Sequence, residues 1–167
     1  TQGVSSAASD VYKRQISIVD DIVTSPVVDG STVFVANASG RITALNLDNG
    51  ESIWGKSFGT LGNIWPAGDS LFLVNDLSQL VRMDKYSGDI VWSVQLPSFL
   101  KINPRKSKEV VAHFGPIVAS GKVILVSSDK KIRVFNPIDG SLIDDVKVPS
   151  GATSNPVIAD NILYFAV

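Results

Sequence analysis

Between residues 25 and 59 the apolar positions gather in short runs, "PVV", "TVFVAN", "RITALNL" and "ESIWGKSF", separated by Gly, Asn, Asp or Ser. Short runs rich in β-branched and aromatic residues with turn formers between them predict strands, and no helix-period segment competes. The stretches "VFVA", "LFLV" and "VILV" are apolar without alternation. That pattern predicts strands covered on both faces rather than half-solvated ones.

The same arrangement returns along the chain. Units at 25–59, 64–97 and 114–149 each hold four such runs, and 154–167 begins a fourth. Pro26, Pro66, Pro116 and Pro156 lie 40, 50 and 40 residues apart, and the longer middle step is an insertion, "SFLKINPRKSKEVVAH". Four strands per repeat at a period near 40 residues predict an all-β fold, a partial β-propeller of about three and a third blades arranged as an open arc. A closed ring needs about four to eight blades, so the repeat predicts a fragment at both ends whose end blades expose apolar faces. Residues 1–15 have no periodicity and are expected to be a non-native or disordered tail ahead of a propeller segment at 16–167.

One spacing recurs inside the units. Gly50 precedes Trp54 by four residues and Gly88 precedes Trp92 by four, whereas Asp144 stands four residues after Gly140. Asp48, Asn49 and Gly50 suit a turn between the third and fourth strands, because Asn and Gly tolerate positive φ. The tryptophan then falls on the outer strand, where its ring can fill the joint between adjacent blades.

Composition narrows the function. A hydrophobic share of 44% with 19% charged residues suits a globular chain, and a formal charge of −1 gives no global field for nucleic acid or anionic lipid. The absence of cysteine removes disulfides, thiolate metal sites and a cysteine nucleophile. No run approaches the roughly 18 apolar residues of a membrane span, and the first residues do not read as a secretory signal.

The spacing Ala44-x-Asn46-x-x-Asn49-Gly50-x-x-x-Trp54 resembles the tryptophan-docking motif of the PQQ-type propeller repeat, Ala-x-Asp-x-x-Thr-Gly-x-x-x-Trp, and Arg82-x-Asp84-x-x-Ser87-Gly88-x-x-x-Trp92 is a modest variant. Two families share that repeat, the quinoprotein dehydrogenases and BamB. The order of "DDIVTSPVV", "GRITALNLDNGESIW", "LFLVNDLSQLVRMDKYSGDIVW" and "NPVIADNILYF" is similar to the C-terminal half of the BamB family. The resemblance implies a non-enzymatic periplasmic scaffold of outer-membrane β-barrel assembly. Such a scaffold is a lipoprotein held to the membrane only through a lipid anchor outside this stretch, docks on BamA and needs no cofactor or metal. It also implies that an acidic loop before the Thr-x-Pro of a blade takes part in the BamA contact. Asp21 matches the first acid of that loop, Val23 stands in place of the second, and Asp20 can supply a substitute charge.

Other residues offer candidate chemistry. His113 is the only histidine; a Ser-His-Asp set could borrow Ser127 or Ser128 with Asp129, but no nucleophile elbow accompanies them and they are expected in a loop. Lys101, Arg105 and Lys106 in the insertion form a basic surface that suits either solvation or partner contact. The competing readings are a quinoprotein dehydrogenase, which would need an adjacent cysteine pair and calcium-type carboxylates, and a generic PQQ-like interaction or sensor module.

Overall fold

Alternation within single strands decides where the core forms. The computed structural model describes residues 24–37, 40–60, 62–99 and 110–167, and every regular element among them is a strand. The first sheet is an antiparallel meander of β1 (Val27–Asp29), β2 (Thr32–Asn37), β3 (Arg41–Asn46) and β4 (Ser52–Lys56). The second repeats it with β5 (Trp65–Ala67), β6 (Ser70–Val74), β7 (Gln79–Asp84) and β8 (Ile90–Gln95), and the third with β9 (His113–Ala119), β10 (Lys122–Ser127), β11 (Lys131–Phe135) and β12 (Leu142–Lys147). A two-stranded sheet, β13 (Val157–Ala159) with β14 (Ile162–Tyr164), follows. The architecture is an open partial β-propeller.

All five residues of β6 are buried. Leu71 and Leu73 join Phe34, Ile42, Ile64 and Met83 in one cluster, while Phe72 and Val74 join Leu80, Val123, Leu125 and Phe135 in another. Successive side chains of a strand point to opposite faces, so β6 feeds two cores at once. The apolar interior therefore lies between sheets, and the unbroken "LFLV" run is the sequence cost of covering both faces.

The two ends of the arc lack that cover. Val28 is exposed on the first sheet, as are Val157, Ile158, Ile162 and Tyr164 on the last.

Candidate functional site

The hairpins β3–β4, β7–β8 and β11–β12 are built alike from a capping side chain, a glycine and a bulge. Asn46 Oδ1 accepts the amides of Asp48 and Asn49, Asp84 Oδ1 accepts those of Tyr86 and Ser87, and Asn136 Oδ1 accepts that of Ile138. Those two amides are what holds the Asp84 carboxyl below its usual range, Ser87 first. Gly50, Gly88 and Gly140 close the turns at φ +72°, +70° and +73°, backbone that a side chain with a Cβ adopts only at a cost.

After each turn the pairing slips by one residue. Ala44 opposes Trp54 and Leu45 opposes Ser52; Arg82 opposes Trp92 and Met83 opposes Ile90; Val134 opposes Asp144 and Phe135 opposes Leu142. A bulge adds one residue to one strand. It sets Ile53, Val91 and Ile143 outward, each about half exposed, and places the residue after each opposite β3, β7 or β11 in register.

At two joints that residue is tryptophan. The Trp54 Nε1–H donates to the Lys85 carbonyl of the next sheet at 3.0 Å, and its ring lies on Gly88 so closely that a Cβ there would stand 2.7 Å from Cε3. Trp92 donates to the Pro137 carbonyl at 3.1 Å and lies on Gly140, where a Cβ would stand 2.9 Å away. Each ring also tilts against a core phenylalanine, Phe34 or Phe72, at 6.0 Å between centroids.

Charged groups frame the two joints differently. At the first, Lys85 bonds Asp29 at 2.8 Å and Lys56 bonds Asp89 at 2.7 Å, both across the joint. The Asp29 bond raises the Lys85 pKa and the Lys56 bond lowers that of Asp89. At the second, Arg82 gives Nε to Ser70 Oγ and Nη1 to the carbonyls of Pro137 and Ile138. Gly50 has no heavy atom within 4 Å of the position its Cβ would take, and Asp144 occupies the tryptophan position of the third sheet with Oδ1 accepting the Asp145 amide.

The structure corrects one expectation. Ser127 lies on β10 rather than in a loop, is fully buried, and pairs in register with His113 of β9. His113 Nδ1 is 2.8 Å from Ser127 Oγ and Nε2 is 2.9 Å from the Pro97 carbonyl. Asp129 binds Arg133, not the histidine, and Arg133 Nη1 also reaches Ser127 Oγ at 2.9 Å. A nucleophile with no access to solvent and an acid committed to a guanidinium do not make a catalytic triad. Burial holds His113 below its ordinary value of 6.5, reinforced by the Arg133 charge and opposed by Pro97 and Asp129.

Asp20, Asp21, Lys101, Arg105 and Lys106 lie outside the described residues. The joint contacts of Arg82, Lys85 and Asp29, and the Arg133–Asp129 pair, were not found by sequence reasoning. Counting back from the Ser120–Gly121 turn would set Ser127 opposite Phe114, and it is the slip in register between Ile124 and Val126 that brings Ser127 opposite His113; nothing in the sequence marks that slip or the carbonyls that the indoles reach. Among the described residues no group of three or more His, Cys, Asp or Glu is placed to hold a metal ion.

Comparison with known proteins adds the biological context. Residues 5–94 match the family described as outer membrane protein assembly factor BamB. The chain is 24% identical over 152 residues to BamB of Salmonella typhimurium and 25% identical over 152 residues to that of Escherichia coli, covering 89% of this chain and 36% of each relative. It thus spans about a third of the length of the curated relatives it matches. Among solved structures, BamB from Moraxella catarrhalis superposes with a TM-score of 0.69 at 13% identity over 84% of this chain and 39% of the other. A europium-containing methanol dehydrogenase gives 0.59 at 14% identity over 77% of this chain and 24% of the other. At such identities the likeness is of fold.

Proposed function

The chain belongs to the family of the outer membrane protein assembly factor BamB, and from that premise we propose that it is part of a non-enzymatic scaffold for outer-membrane β-barrel assembly. The scaffold works at the periplasmic face of the outer membrane and binds a BamA-like partner through propeller loops. The observation that carries this reading is the match of residues 5–94 to an assembly-factor family, with alignments to assembly factors running along 89% of the chain. The joints support the division of labour. Both joint indoles, Arg82 and Lys85 are spent on blade-to-blade contacts, which leaves recognition to loops.

Asp20 and Asp21, with Lys101, Arg105 and Lys106, are the proposed contact residues. Charges on a loop steer association and fix register more than they add affinity. Capture of a BamA-like partner by the intact chain tests the reading. Asp21→Ala should weaken capture at an unchanged melting temperature. Undiminished capture removes Asp21 from the contact, and no capture by the unsubstituted chain overturns the scaffold. Saturable uptake of pyrroloquinoline quinone would favour the dehydrogenase reading instead.

A further inference from the structure

The arms of the inter-blade insertion that belong to the described residues are 97–99 and 110–112. They pair with each other through the Val111 amide to the Ser98 carbonyl at 3.0 Å and an antiparallel bridge between Phe99 and Val110. Two ties fix them to the third sheet. One is the exchange of bonds between Ala112 and Ser128, and the other is His113, whose ring touches the Pro97 carbonyl on one side and Ser127 on the other.

A carbonyl only accepts, so Nε2 carries the proton and donates to Pro97. Nδ1 is then an acceptor and takes the Ser127 hydroxyl proton, while Ser127 Oγ receives Arg133 Nη1. The network is complete only with a neutral imidazole. We propose that His113 is a proton-operated latch: neutral, it ties the arms at 97–99 and 110–112 to the buried Ser127–Arg133–Asp129 network, and protonated, it lets them part.

A second proton turns Nδ1 from acceptor to donor. The Ser127 hydroxyl then loses its acceptor, and an imidazolium and a guanidinium converge on one oxygen where water is scarce. The charges facing the ring are Arg133 from β11 and Asp129 from the β10–β11 turn, and Asp129 is already committed to Arg133. Lys131 and Asp145 satisfy each other, and Lys130 is exposed. On the open side His113 borders a cavity of about 470 Å³ that Asp76 of the β6–β7 turn also lines, room and a counter-charge for a released imidazolium. The latched state binds the proton less well than the open state. Latching is therefore complete above 6.5 and is lost as pH falls from there through the depressed midpoint.

Nitrogen-detected NMR of the single histidine in the intact chain, with amide exchange followed across the same pH range, tests the latch. The expected result is an Nε2–H tautomer with a midpoint below 6.5. Protection of the Val111 and Ala112 amides should fall with that midpoint, tenfold for every pH unit by which it lies below 6.5, while Leu73 and Val81 hold. His113→Gln should make the arms' protection independent of pH. A midpoint at or above 6.5, an Nδ1–H tautomer, or unsubstituted protection that ignores pH overturns the proposal. Should the Gln variant not fold, the unsubstituted chain alone decides by the same outcomes.

Discussion

Strands β8 and β12 occupy equivalent places in consecutive sheets, follow the same kind of turn and carry the same bulge, yet their environments differ. Trp92 on β8 reaches the next sheet and seals a joint over Gly140. Every residue of β12 is exposed, with Leu142, Ile143 and Val146 open to solvent. Two differences go together: a carboxylate stands where the indole would be, and the sheet beyond has two strands. An indole suits the joint because one side chain supplies a broad apolar face and one N–H donor. Asp144 can supply neither, so here the turn and bulge of the repeat persist with a carboxylate in the indole's place.

Removing an indole or filling its seat should have the largest effects. Trp54→Ala should cost about 3 kcal/mol, at the low end for tryptophan truncation because the ring is only partly buried. A loss under about 1 kcal/mol in denaturant melts would break the claim that the ring holds the joint. The glycine seats sharpen the comparison. Gly50→Ala should cost about 1–2 kcal/mol through its backbone alone, whereas Gly88→Ala should add about 1–3 kcal/mol of overpacking against Trp54. Equal melting shifts for the two would mean that the ring does not press on its seat. Smallest of all, Asp144→Trp should change the stability of this chain by no more than about 0.5 kcal/mol, as for other exposed positions. A gain above 1 kcal/mol would show a usable seat opposite β12.

The all-β class was legible because turn formers punctuate apolar runs at a fixed period, and the double burial of β6 was legible in "LFLV". The break at Asp144 was also visible. What could not be read was reach. Lys85 and Pro137 receive indoles through backbone carbonyls, which carry no residue-type signal, so a lysine and a proline do the same work. His113 and Ser127 are 14 residues apart and meet through strand register, a property of the hairpin rather than of either residue. Arg133 was unremarkable in sequence, yet it is 4% exposed and holds both Ser127 and Asp129.

Because alternate residues of β6 belong to different clusters, the second sheet has no core of its own to keep if a neighbour leaves. The stability of the described sheets then resides in nearest-neighbour couplings rather than in single units. Those couplings are uneven, with indole-sealed contacts on both sides of the second sheet and a weaker one after the third. Sheets coupled so unevenly open unevenly, so β13–β14 should open in excursions too small to register in a global melt, while the first three sheets cross their transition together.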